Sequence, residues 1–239
     1  MEKSHNESNN DSNQVSNKDR SSPDNPSNYK KQSNKQTIFL DVDDVIFNSS
    51  EVVLNILNKR YNLHKTDSDI KDWSYKSIYK DMTPTMVEEV FESDEFWSQI
   101  KIREDFINSI LKVEEIRKGY NWAFVTQGNE KNLQRKIVFF LNQPEEYKEC
   151  FNDGKFYGIR LNESKNKVNM SNGIQVDDNF EKLSNTNAVL KILLKNDRET
   201  KHNTYDCAKE IVNRNDLYII NTFEELKNIL LFNLEEKIF

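Results

Sequence analysis

Thr37-Ile38-Phe39-Leu40-Asp41-Val42-Asp43-Asp44-Val45 decides how this chain is read: an apolar run of β character that stops at three carboxylates within four positions. Side chains two apart on an extended chain point to the same side, so Asp41 and Asp43 are expected to project together. Carboxylates gathered at the exit of a buried strand repel one another unless a cation or a proton lies between them, and a divalent metal is the economical solution. In an open α/β sheet that exit faces the crevice where ligands bind. A strand followed by an acidic turn is the plainer alternative, and the rest of the chain has to decide between them.

Beyond this stretch, Val53, Ile56, Leu57 and Tyr61 recur at helical spacing, with Ser49 or Ser50 placed to cap the helix start. A second helix is expected at Thr83-Pro84-Thr85, with proline at the first helical position and a capping box between Thr85 and Glu88. A third amphipathic run carries Phe106, Ile107, Ile110, Leu111 and Ile116. The next strand, 122–125, ends at Thr126-Gln127-Gly128-Asn129 and leads into a helical run over 130–141. A hydroxyl at a strand end, a glycine turn and a helix N-terminus make a phosphate-binding arrangement. Read alone, Thr126 is equally a helix cap. Further strands are expected over 156–161, 173–176, 189–194 and 217–220, with helices near 205–212 and 223–232. The run 173–176 ends in Asp177-Asp178, the second apolar stretch to stop at paired carboxylates. Strands alternating with helices imply an α/β fold, a parallel sheet wrapped by helices through right-handed crossovers.

Composition narrows the function classes. Residues 1–36 are nearly all Asn, Ser, Asp, Lys and Gln, too poor in apolar surface to offset ordering entropy, and are expected to form a disordered tail. The remainder of the 239 residues suffices for one core plus a small second unit. A net charge of -6 argues against general nucleic-acid affinity, which needs a basic face. Cys150 and Cys207, with His5, His64 and His202, make no zinc pattern, and both thiols are expected free in a reducing compartment. No apolar run approaches the roughly 18 to 20 residues of a membrane helix, and the N-terminus lacks a signal-peptide core, so the expected location is cytoplasmic. Neither GxxxxGK[ST] nor G-x-G-x-x-G occurs, which removes support for nucleoside-triphosphate and dinucleotide folds.

In order, four strand ends now carry Asp-x-Asp, Thr, Lys and Asp-Asp. In this the chain resembles the haloacid-dehalogenase-like phosphohydrolases, over residues 38–178 and more loosely to the C-terminus. Within them it looks most like the 5'(3')-deoxyribonucleotidases and their bacterial and phage relatives. The narrower likeness rests on Val125-Thr126-Gln127-Gly128, on Lys167 ten residues before Asp177, and on Asp72-Trp73 and Phe96-Trp97 in the insertion after the first strand. Asp44 departs from the pattern, which usually has glycine there; an extra carboxylate either alters metal affinity or faces solvent.

The resemblance implies a Rossmann-like parallel-sheet core made from 37–50 and 120–239, with a small helical cap at 51–119. It implies Mg²⁺ held by the Asp41 carboxylate, the Asp43 backbone carbonyl, and Asp178 with Asp177 behind or beside it. Asp41 would be the nucleophile that becomes an aspartyl-phosphate, Asp43 the acid and base, and Thr126 the donor to the phosphoryl group, beside Gln127 and Gly128. Lys167 would balance charge around the nucleophile, with Lys165 as the fallback. Trp73, Tyr75, Phe96 and Trp97 would stack on a base, or else form the cap's own core. The expected function is therefore hydrolysis of (deoxy)ribonucleoside monophosphates by a 5'-nucleotidase. The alternatives are a phosphatase for another small phosphomonoester or a nucleic-acid 3'-phosphate, and a binding protein that keeps the fold without turnover. Self-association is left open by the sequence.

Overall fold

The computed structural model describes residues 35–72, 74–195 and 216–236. Trp73, Cys207, the helix expected over 205–212 and residues 1–34 of the expected tail lie outside the described residues. Six strands form one parallel sheet: β1 (Thr37–Leu40), β2 (Asn121–Gly128), β3 (Lys155–Arg160), β4 (Gly173–Asp177), β5 (Leu190–Leu194) and β6 (Leu217–Ile220). Their spatial order is β3-β2-β1-β4-β5-β6.

The central strands read as nearly unbroken apolar runs because both faces of the sheet are covered. Ile38, Leu40, Trp122, Phe124, Ile174 and Val176 bury into the large core on one face. Phe39, Ala123 and Val125, at the alternate positions, bury into a smaller core on the other. Gly173 is required where the Phe39 ring crosses it, since a Cβ there would meet the ring at 2.3 Å. Pairing begins earlier than expected: Asn121 donates from its backbone N–H to the Gln36 carbonyl at 2.9 Å and from its side chain to that of Lys35 at 3.0 Å. The last two residues assigned to the tail thus lead directly into the central strand and are tied to the start of β2.

The chain builds one half of the sheet outward from β1 to β3, then crosses back to place β4 on the other side of β1. The crevice beyond the carboxyl ends of β1 and β4 is the point where strand order reverses, the preferred ligand position in such sheets. Asp41 and Asp177 lie at that point.

Between β1 and β2 come α1 (Ser49–Tyr61), α2 (Pro84–Glu92), α3 (Asp94–Gln99), α4 (Glu104–Phe106), a π turn (Ile107–Leu111) and α5 (Glu114–Gly119). After β2 follow α6 (Glu130–Leu141), α7 (Lys148–Phe151), α8 (Phe180–Ser184) and α9 (Phe223–Glu235). Pro84 does open α2, but the cap is Thr83, whose hydroxyl accepts the Met86 N–H at 3.3 Å; no box between Thr85 and Glu88 is needed. Residues 104–120 pack on the sheet's own helix α9, through Phe106 against Phe223 (centroids 5.3 Å apart) and the Tyr120 hydroxyl on the Leu230 carbonyl at 2.7 Å.

Of the aromatic side chains expected to stack on a base, Tyr75, Phe96 and Trp97 are instead used for packing. Tyr75 is buried, with its hydroxyl 3.0 Å from Ser50 Oγ. Phe96 is wholly buried between Phe91 and Trp97. Trp97 donates its indole N–H to the Phe91 carbonyl at 2.8 Å and sets its ring edge-on to Phe47, centroids 6.4 Å apart. Short α3 is wedged between α1 and α6, and large flat rings are what fills that space. Among the described residues no helix is long and apolar enough to cross a membrane.

Candidate active site

β1 delivers Asp41 to the switch point and β4 delivers Asp177 and Asp178; their carboxylate oxygens lie within 4.8 Å of one another and all three residues are buried. The backbone fixes this directly, because the Asp41 N–H donates to the Val176 carbonyl at 3.0 Å and so ties the two strand ends together. The ammonium of Lys165 enters the cluster, 2.9 Å from Asp41 Oδ2 and 2.7 Å from Asp177 Oδ2, with its side chain 1% exposed. Lys165 sits in a one-turn 3-10 helix (Lys165–Lys167) whose start is capped by the Ser164 hydroxyl.

This corrects the expectation for Lys167. Its ammonium points outward to Glu163 at 2.8 Å with a side chain 59% exposed, whereas Lys165 faces the carboxylates. In so tight a helix, side chains two apart point in different directions, so only one of the pair can turn inward.

Burial works against the Lys165 ammonium, but the charges of Asp177 and Asp41 outweigh it, and the group titrates above its ordinary range. Burial pushes the Asp177 carboxyl up; Lys165 pulls it down and Asp41 pushes it up again, leaving it raised. Two like charges about 4 Å apart repel by about 4 kcal/mol at an effective dielectric near 20. Three buried carboxylates whose oxygens lie this close together are a donor set for one divalent cation. An all-oxygen set of this kind suits a hard cation such as Mg²⁺.

Asp43 does not join this triad through its side chain. Its carboxylate accepts from the Ser49 hydroxyl at 2.7 Å and from the ammonium of Lys136. Lys136, in the middle of α6, is buried and donates also to Thr126 Oγ1 at 2.7 Å. Thr126 is thus held by a lysine and does not cap α6; that cap is Asn129, which accepts the Asn132 N–H at 3.0 Å. Sequence reasoning passed over Lys136. The signal was present, because Asn132, Lys136 and Phe140 share the buried stripe of α6, and a lysine on such a stripe needs a buried anion.

Gln127 lines the cleft with its amide committed to the protein: it donates to the carbonyls of Leu161 and Glu163, at 3.0 and 2.7 Å, and so holds the loop that presents Lys165. Gly128 lines the crevice and is required by the first turn of α6, where a Cβ would come within 2.6 Å of Asn132 Oδ1. Asp44 neither faces solvent nor joins the triad. Its backbone is in the left-handed region, φ 60°, which explains the family preference for glycine. Its buried carboxylate accepts from Ser50 N–H at 2.9 Å and Ser50 Oγ at 2.6 Å. Asp44 is therefore the real cap of α1, the role expected of Ser49 or Ser50.

Beside Asp41 and Asp43 opens a cleft of about 440 Å³, walled on its far side by Pro84, Val87, Glu88 and Phe91 of α2.

No protein-family model matches the chain, and no curated protein matches it by sequence. Solved structures do match. A predicted phosphatase from Clostridium acetobutylicum superposes with a TM-score of 0.54 at 14% identity, over 83% of this chain and 99% of its own. A haloacid dehalogenase-like family hydrolase from Streptococcus pneumoniae gives 0.53 at 15% identity, over 82% and 98%. The fold is that of the haloacid-dehalogenase-like hydrolases.

Proposed function

We propose that this protein is a Mg²⁺-dependent phosphomonoester hydrolase that works through an aspartyl-phosphate on Asp41. The observation that carries this reading is the convergence at the switch point of three buried carboxylates, Asp41, Asp177 and Asp178, with the Lys165 ammonium between the first two. Asp41, Asp177 and Asp178 would hold the ion, which supplies charge stabilisation for the phosphoryl oxygens when bound.

Asp41 is oriented for attack, since one carboxylate oxygen accepts the Val42 N–H at 2.7 Å while the other meets Lys165. Its oxygen forms the new bond to phosphorus as the ester oxygen leaves. Asp43, protonated from solvent once Lys136 turns to the phosphate, gives that proton to the leaving oxygen and, as the carboxylate so formed, later takes one from the water that cleaves the Asp41–phosphate bond. Lys136 serves both groups. An arriving phosphate offers its ammonium a second anionic partner beside Thr126, which frees Asp43 to turn into the cleft. Residues 49–100 form the unit that covers the site and excludes water, a cap shorter than one running to 119, because 104–120 packs on α9.

The cleft volume suits a small phosphomonoester. A nucleoside monophosphate remains within that class, with Phe91 as the aromatic wall for a base, although Tyr75, Phe96 and Trp97 are engaged elsewhere. The test is phosphate release from a panel of nucleoside monophosphates, sugar phosphates and alkyl phosphates, with Mg²⁺ and with excess chelator. Metal-dependent release that disappears in Asp41→Asn is the expected result. Release unaffected by chelation, or by that substitution, contradicts the reading.

A further inference from the structure

α2 presents Pro84, Val87, Glu88 and Phe91 to the cleft, positions i, i+3, i+4 and i+7, which is one continuous face of the helix. Three of the four are apolar, and Leu161 adds another apolar side chain from the opposite wall. Glu88 is the exception. Of the neighbouring acids, Glu89 is exposed on the helix's outer side, Glu92 accepts from Lys131 at 3.2 Å and also from Asn129, and Asp94 pairs with Arg135 at 2.6 Å. Glu88 caps nothing, since Thr83 closes the start of α2, and among the described residues it has neither a hydrogen-bond nor an ion-pair partner.

The other charged groups on the cleft wall are already spoken for. Asp41 and Asp43 hold Lys165 and Lys136, and Asp44 holds Ser50. Lys182 belongs to the phosphate end, where its ammonium acts on the Asp177 carboxyl. A substrate whose phosphate meets Asp41 therefore extends its leaving group toward one unpaired, half-buried carboxylate set in an apolar wall.

We infer that Glu88 selects the leaving group, and that the preferred substrates are phosphomonoesters carrying a cationic amine on a short carbon stem. This rests on the phosphatase reading above and deepens it. An ammonium gains the partner that Glu88 lacks while its methylenes cover Val87 and Phe91. A leaving group with its own carboxylate meets like charge in a partly desolvated cleft and is rejected.

The experiment compares kcat/KM for three matched esters with Mg²⁺: 3-aminopropyl phosphate, propyl phosphate and the phosphate ester of 3-hydroxypropanoate. For the unaltered protein the expected order is amine above alkyl above carboxylate, with amine over carboxylate on the order of tenfold or more. In Glu88→Gln that ratio collapses toward one, and in Glu88→Lys it inverts. A ratio unchanged by both substitutions, or an unaltered protein that favours the carboxylate ester, overturns the inference while leaving the phosphatase reading standing. Absence of hydrolysis of all three esters by the unaltered protein, with release from other members of the wider panel, overturns the inference alone; absence across the whole panel overturns both.

Discussion

Lys136 and Asp43 are 93 residues apart in sequence, yet the ammonium of one closes on the carboxylate of the other, with the lysine side chain 1% exposed. A lysine is buried at that depth only where anions meet it, and its second bond, to Thr126, joins the ends of β1 and β2 into one unit.

Replacing Lys136 with Met keeps the volume of the stem and removes the charge. Asp43 and Thr126 are then left without their shared partner, which costs about 3 kcal/mol or more for a broken buried pair, somewhat less here because Asp43 is partly exposed. Turnover should fall on the order of a hundredfold or more, the usual worth of a positioned acid–base group. Thermal unfolding and kcat measured together separate the two effects. Turnover near that of the unaltered protein would show that Lys136 serves the fold alone.

The two lysines of the 3-10 turn give a sharper contrast. Lys165→Met leaves Asp41 and Asp177 facing each other with no ammonium between them, and kcat/KM should drop on the order of a hundredfold or more. Lys167→Met removes only an exposed pair with Glu163, worth about 0.5 kcal/mol or less, and should leave kcat/KM within about twofold. The reverse pattern would restore Lys167 to the site.

Much of this architecture was legible in the sequence. The strand ends at Asp41, Thr126 and Asp177 stand out because apolar runs stop there, and the alternation of strands and helices is enough for a parallel sheet. The choice between Lys165 and Lys167 was not legible, because family spacing counts residues along the chain and the direction of a side chain in one 3-10 turn does not follow from that count. Trp97 and Phe96 were left between two readings for a related reason. A solvent-facing stacking platform and a packed aromatic cluster have the same composition, and only the indole bond to Phe91 tells them apart.

Asp44 predicts an ordered series in stability. Asn keeps both the left-handed backbone and a capping oxygen, so Asp44→Asn should cost least. Asp44→Gly keeps the backbone and loses the hydrogen bonds from Ser50, about 1 kcal/mol or more. Asp44→Ala loses the cap and adds left-handed strain of roughly 1 to 2 kcal/mol, and should be the least stable of the three. Urea denaturation midpoints check the order; an alanine variant as stable as the asparagine one would contradict it.

Trp97→Ala should act on stability and not on choice of substrate. The indole packs on Phe47, Phe96 and Phe139, and its truncation should cost about 3 kcal/mol. The ratio of kcat/KM for a nucleoside monophosphate to that for glycerol phosphate should stay the same. A selective loss on the nucleotide would return Trp97 to the substrate.

The central claim is that Asp41 becomes phosphorylated during turnover, and it can be read chemically. The protein is mixed with Mg²⁺ and a phosphomonoester found active in the panel, quenched in acid during turnover and reduced with borohydride, which converts an aspartyl-phosphate to homoserine. Peptide mass spectrometry should then find homoserine at position 41 and nowhere else, with none in the absence of substrate. Turnover in the same samples without modification at Asp41, or with homoserine at Asp43, Asp177 or Asp178, would contradict the account.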